Sequence, residues 1–295
     1  MGLREQAPYY AYRAGAAVAR TLPEPLAAQA ARAGGFVLGY AMRGRREMIG
    51  RHLERVHGRA LSPDERRAAI RKSFDSYARY WMESFRVPYM SKADLAERVT
   101  VEGYEHAEAA FAKGNGVIMV APHIGSWDLA GAWLAASGRR STVVAEMVEP
   151  PELFEWFTAT REALGMTVVP LGPQAGTAVL RALRANELVG LVSDRDIEGN
   201  GVKVEFFGEE TTLPGGPATL ALRTGAALLP IGIYAVDDRH HRGVIRPPIP
   251  VERTGRLRDD VARVTQLIAH ELEDLIRESP EEWHMFQPNW PSDRT

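Results

Sequence analysis

The residues best suited to chemistry stand together in Pro122-His123-Ile124-Gly125-Ser126-Trp127-Asp128. Histidine is the side chain whose ordinary pKa, about 6.5, lies nearest neutrality, so it is the usual general base. Asp128 follows five positions on and is one candidate to hold the imidazole in a single tautomer, as the acid of a catalytic triad does. Gly125 permits a tight turn or a close backbone approach. Each residue also has a plainer use: His123 as an ordinary loop histidine, Asp128 as a first-turn acid favoured by the helix dipole. Ser126 is the one serine beside His123, awkwardly placed for a relay. No Gly-x-Ser-x-Gly nucleophile elbow occurs. The chain has no Cys, which excludes a thiolate nucleophile, a thiolate metal site and disulfides. His240 and His241 adjoin, but no His-x-x-x-His spacing supports a closed metal site.

These residues need a frame. Val117-Ile118-Met119-Val120-Ala121 is a short unbroken apolar run, as expected of a strand buried on both faces. His123 therefore falls just past a strand, before a helix expected over 127–137. Ligands bind at the carboxyl ends of strands in open α/β sheets. Strands over 142–146, 167–170 and 187–193 then alternate with helices over 151–164 and 175–185. Further strands are expected over 202–207 and 226–234, with a helix from near Pro217 between them. A last helix is expected over 257–278. The alternation predicts an α/β fold with a mostly parallel central sheet flanked by helices.

The first hundred residues read differently. Residues 7–42 predict one or two helices broken at Pro23 and Pro25, ending in Phe36-Val37-Leu38-Gly39-Tyr40-Ala41-Met42. A basic stretch with Arg43, Arg45, Arg46, Arg51 and Arg55 follows. Aromatic and apolar residues beside Arg suit a helix in a bilayer interface, and equally a helix packed on the domain with a solvated basic face. A helix over 62–88 opens on Ser62 and Glu65, the spacing of a capping box. Its stripe of Phe74, Tyr77, Tyr80, Trp81 and Phe85 is expected in the core. We expect one domain over 1–295, with an N-terminal helical, membrane-associating part over 1–60 and an α/β catalytic core over 100–295. The apolar fraction of 45% suffices for a core, and a net charge of −2 implies no nucleic-acid partner. The start lacks the pattern of a cleavable signal, and no stretch reaches the roughly 18 apolar residues of a membrane span, so a cytosolic chain is expected.

The His-x-x-x-x-Asp pattern at a strand-to-helix junction resembles the signature of the glycerolipid acyltransferase superfamily. Within it the chain is similar to the lipid A biosynthesis acyltransferases, and most to the phosphatidylinositol mannoside acyltransferases of actinobacteria. The resemblance runs nearly the whole length. It rests on Ser76-Tyr77-Ala78-Arg79-Tyr80-Trp81, the His123 motif, Val144-Ala145-Glu146, Arg161-Glu162-Ala163-Leu164-Gly165 and Asp194-Arg195-Asp196. It continues through Phe206-Phe207-Gly208-Glu209, Gly215-Gly216-Pro217-Ala218 and Trp283-His284-Met285-Phe286-Gln287-Pro288.

The resemblance implies a peripheral enzyme at the cytoplasmic face of the cell membrane. Acyl-CoA would be its donor substrate, with no cofactor and no metal, a glycolipid its acceptor and an anionic membrane surface its partner. The family's histidine matches His123, which would deprotonate the acceptor hydroxyl. A Glu that partners this histidine in the mannoside branch matches Asp194, here the shorter residue, so Asp194 and Asp128 are both candidates to orient the imidazole. Glu146 and Arg161 match the family's acidic and basic site positions, expected to bind substrate. A sugar hydroxyl needs its proton removed as it attacks, whereas a thioester is already activated. The oxyanion needs donors, for which the amides after Gly125 and the Arg195 side chain are candidates. Alternatives are another glycolipid or a lysophospholipid as acceptor, an acyl-CoA thioesterase, and a catalytically silent lipid-binding protein.

Overall fold

The computed structural model describes residues 3–294; residues 1, 2 and 295 of the ranges expected above lie outside them. Four helices come first: α1 (Leu3–Thr21), α2 (Glu24–Ala41), α3 (Arg43–His57) and α4 (Pro63–Arg86). The break expected at Pro23 and Pro25 falls between α1 and α2, with Pro23 the N-cap of α2 and Pro25 in its first turn, and the basic stretch forms α3. The capping box of α4 is complete: the Glu65 amide donates to the Ser62 hydroxyl, and the Ser62 amide to the Glu65 carboxylate. Small residues let α1 and α2 lie close on α4. Ala19, Ala27 and Ala28 are buried with Met82, and a Cβ on Gly35 would come within 2.8 Å of the Phe74 carbonyl oxygen.

Helices and strands then interleave through the rest of the chain. In order come α5 (Lys92–Arg98), β1 (Val99–Glu102), α6 (Tyr104–Ala112), β2 (Val117–Ala121), α7 (Trp127–Ala136), β3 (Ser141–Ala145), α8 (Pro151–Ala163) and β4 (Met166–Pro170). Then follow α9 (Ala175–Arg184), β5 (Leu188–Val192), β6 (Val202–Phe206), β7 (Glu209–Leu213), α10 (Gly216–Thr224), β8 (Ala227–Ala235), β9 (His241–Ile245) and α11 (Leu257–Glu278). The strands β5, β6 and β7 follow one another directly, as do β8 and β9.

Seven strands form one sheet in the order β1-β9-β8-β2-β5-β3-β4, and β6 with β7 makes a separate hairpin. Every neighbouring pair in the large sheet is parallel except β8 with β9. All five residues of β2 are buried, which explains its unbroken apolar run. One face of the sheet carries Ile118, Val120, Val189 and Leu228, packed with Val179 and Leu183 of α9 and Val264, Ile268 and Leu272 of α11. The opposite face meets α6 and α7, with Met119, Leu188, Leu229, Phe111 and Leu134 in contact. Because β2, β3 and β5 run parallel in adjacent positions, their carboxyl ends open on one side of the sheet.

Candidate active site

His123 leaves the sheet two residues past β2. The turn after it requires glycine. Gly125 has φ +55°, and a Cβ there would stand 1.9 Å from the Ile233 carbonyl oxygen. The C-terminal segment then straps the turn down. The Gly125 amide donates to the Glu282 carbonyl at 3.0 Å, the His284 amide to the His123 carbonyl at 2.7 Å, and Ile124 bridges to Trp283.

Asp194 arrives from the end of β5, beside β2, and its side chain is wholly buried. One carboxylate oxygen lies 2.6 Å from His123 Nδ1, while the other accepts from the His123 amide at 2.8 Å. That second oxygen also accepts from Trp283 Nε1 at 2.7 Å. Burial pushes the Asp194 carboxyl up, but the charge of His123 and hydrogen bonds from His123 and Trp283 outweigh it, so it is held below the usual carboxylate range. A carboxylate can only accept, so Nδ1 carries the proton of the neutral ring and Nε2 keeps its lone pair. Among the described residues Nε2 has no protein partner, and the ring, 28% exposed, borders a cavity.

Asp128 does not reach His123. Its carboxylate is taken by Arg161, Nε at 2.8 Å and a terminal nitrogen at 3.2 Å, by the Tyr80 hydroxyl at 2.8 Å and by Ser84 at 3.4 Å. With those donors in place it has little capacity left for an imidazole. Asp128 raises the Arg161 guanidinium further above its already high range, and burial and Asp128 together push the Tyr80 hydroxyl up. Of the two carboxylates the sequence left open, the structure brings Asp194 to the histidine and gives Asp128 to Arg161.

Glu146, just past β3, forms an ion pair with Arg195, three residues beyond Val192 of β5, beside the His123 end of the cavity. One expectation needs correcting. Tyr77, Tyr80 and Trp81 of the α4 stripe are not core alone but line the cavity, because α4 runs beside its polar end. Of the oxyanion candidates, Arg195 is taken up by Glu146, whereas the amides after Gly125, which open α7, have no side-chain cap. Ser126 turns away from His123 and donates to Glu83, which in turn faces the buried His241 at 3.2 Å.

The cavity is about 540 Å³. It extends from His123, Glu146 and Arg195 at the carboxyl ends of the strands to Ser141, Met166 and Leu188 at the starts of β3, β4 and β5. Five strand residues span about 16 Å. Alternate residues Met119, Ala121, Val143, Gly190 and Val192 supply its sheet wall, α7 and α8 the other wall. Gly131 of α7 lines it beside Met166, whose sulfur a Cβ would meet at 3.0 Å. An apolar cavity with an unpartnered histidine nitrogen at its polar end suits an extended aliphatic chain joined to a reactive group.

Trp283 and His284 were quoted above only as part of a resemblance, without a role. His284 is buried, 2.9 Å from the Ser76 hydroxyl, and burial together with the charges of His123 and Arg79 lowers its pKa to about 3. It is therefore a neutral wall of the site near pH 7. No local pattern marks either residue, since their contacts lie far away in sequence.

The bacterial lipid A biosynthesis acyltransferase family matches residues 3–292 of the chain. The chain belongs to that family. It is 38% identical over 288 residues to a phosphatidylinositol mannoside acyltransferase of Mycolicibacterium smegmatis, covering 96% of this chain and 91% of that one. A phosphatidylinositol mannoside acyltransferase of Mycobacterium tuberculosis is also 38% identical, over 291 residues, 96% of this chain and 89% of that one. A lipid A biosynthesis acyltransferase of Haemophilus influenzae is 26% identical over 223 residues, 74% of this chain and 67% of that one. In this member of the family the His-x-x-x-x-Asp spacing serves two different contacts: the histidine faces Asp194, the aspartate Arg161.

A double-mutant cycle checks the second contact. Asp128→Ala and Arg161→Ala should each destabilise the protein, with a coupling of about 1–3 kcal/mol by chemical denaturation, as expected when one partner of a partly buried charged pair is stranded. Additive effects would remove the pair from the account.

Proposed function

We propose that the protein transfers a long-chain fatty acyl group from acyl-CoA to a mannose hydroxyl of a phosphatidylinositol mannoside, at the cytoplasmic face of the cell membrane, with His123 as general base. One observation carries the reading: the unpartnered Nε2 of His123, its Nδ1 held by a buried carboxylate, stands at the polar end of an apolar cavity in a member of an acyltransferase family. The acceptor is inferred from the mycobacterial relatives, which are named for that substrate.

In this mechanism the acyl chain lies in the cavity with its thioester beside His123. Nε2 takes the proton of the acceptor hydroxyl as the oxygen attacks the thioester carbonyl. Asp194 stabilises the imidazolium that forms. The first-turn amides of α7 and the positive end of its dipole face the developing oxyanion. Collapse expels the CoA thiolate, which receives the proton from Nε2, leaving an ester and free CoA. Glu146 and Arg195 contact the polar parts of the substrates beside the cavity. Arg161 acts through Asp128, which fixes the start of α7 and with it those amides. No covalent enzyme intermediate is needed, and Ser126 is engaged elsewhere.

Purified protein incubated with acyl-CoA and phosphatidylinositol mannoside, analysed by mass spectrometry, should yield the acylated mannoside with release of CoA. His123→Ala should lower that rate by about 10²–10⁴, the usual contribution of a general base, with circular dichroism and melting unchanged. Loss of less than tenfold removes His123 as the base. CoA release at full rate without acceptor would identify a thioesterase instead.

The helices α1 and α2 add a membrane contact to the reading. Their inner faces pack on α4, yet Phe36, Val37 and Tyr40 on the outer side of α2 are 60%, 63% and 78% exposed, close in sequence to the exposed Arg43 and Arg51. Among the described residues no helix is long and apolar enough to cross a membrane. An apolar face flanked by arginines suits an interfacial helix on anionic lipid. Phe36→Asp with Tyr40→Asp should reduce co-sedimentation with anionic vesicles while leaving melting unchanged, since neither side chain is buried. Undiminished co-sedimentation would place the membrane contact elsewhere.

A further inference from the structure

Asp194 has no solvent, so the donors around its carboxylate determine how strongly it attracts the imidazole proton. Two come from His123 itself. The third, the indole N–H of Trp283, comes from 89 residues away. Trp283 is 4% exposed and packs against His52, Phe206, Phe207 and Trp290, so its N–H is fixed in direction. Its neighbour His284 holds the other half of the pair, its amide donating to the His123 carbonyl. Asn289 of the same segment donates to the Asp194 carbonyl at 3.0 Å.

We propose that Trp283 is a positioning residue for acyl transfer: its N–H locks the Asp194 carboxylate against His123 and weakens that carboxylate's pull on the Nδ1 proton. The proposal rests on the His123–Asp194 reading of the site. A hydrogen bond that spreads the carboxylate charge makes the carboxylate a poorer partner for a cationic imidazole. Removing it concentrates charge on the oxygen facing Nδ1, so the imidazolium is held more tightly and the base is freed only at higher pH. The pair titrates as a unit, so the measured quantity belongs to the dyad. Other charged groups around it are paired among themselves. Arg161 of α8 holds Asp128 of α7, Arg195 holds Glu146, and Arg79 of α4 stands 3.5 Å from Glu282, while His284 is neutral near pH 7. The Trp283 donor is therefore the element whose removal changes the dyad most directly.

The test is an imidazole ¹⁵N NMR titration of the full chain with labelled histidine, the His123 signals assigned by their loss in His123→Ala. Trp283→Phe keeps a ring and removes the N–H. The His123 transition should move to higher pH by about half a unit to one unit, and the acidic limb of kcat/KM should move with it. Should Trp283→Phe fold poorly, benzothienylalanine inserted at position 283 by codon suppression replaces N–H with sulfur at nearly constant shape. A transition at the wild-type pH in a folded variant overturns the proposal, including when kcat falls, because lost packing alone lowers rate without moving the titration. The titration needs no substrate, so an active His123→Ala protein would sink the functional reading independently of this result.

Discussion

A carboxylate buried without water survives only if the protein supplies its hydrogen bonds. Asp194 is such a group, and satisfying it draws three separated stretches of chain to one point. The end of β5 delivers the carboxylate, the end of β2 delivers the amide and imidazole of His123, and the segment after α11 delivers Trp283. That last segment is itself tied down. His52 of α3 binds the Met285 carbonyl at 2.9 Å and the buried Asp293 carboxylate at 3.1 Å, and Asp293 accepts the amides of Asn289 and Trp290. The N-terminal helices thus brace the wall of the site through the C-terminal strap.

In the proposed reading, the sheet turns this point into a reaction site. Because β2, β3 and β5 are adjacent and parallel, their carboxyl ends bring His123, Glu146 and Asp194 to one edge, while their lengths give the apolar slot its depth. The antiparallel β9 lies on the far side of β8, away from the slot. In that reading, polar chemistry and aliphatic binding fall at two ends of the same strands. Small residues open the space: Gly190 in β5 would bring a Cβ within 3.3 Å of Val143, and Gly131 leaves room beside Met166.

The parts of this arrangement written in local pattern were legible in the sequence. The apolar runs at 117–121 and 188–192 marked the buried strands, and the glycine and histidine after the first marked the turn. The capping box at Ser62 and Glu65 set the start of α4. Elements with little local signal were not foreseen. β1 is four residues long at the sheet edge, α5 is seven residues, and β9 depends on pairing with β8 rather than on its own composition. The partner of His123 was a matter of three-dimensional position. Asp128 is near in sequence and far in contact, because a helix begins between the two residues, while Asp194 is 71 residues away and adjacent because β2 and β5 pair. The donors on Asp128, Tyr80 and Arg161, lie 48 and 33 residues distant, and no spacing rule links them.

The central claim is that the buried Asp194 carboxylate makes His123 a base. The most direct measurement is the single-turnover rate of acyl transfer by Asp194→Asn beside Asp194→Glu, each verified as folded by melting. An amide can still contact Nδ1 but cannot balance an imidazolium, so the account predicts a fall on the order of 10²–10⁴ for Asn. It predicts a much smaller fall for Glu, which keeps the charge on one extra methylene. A folded Asp194→Asn protein transferring within tenfold of wild type would contradict it.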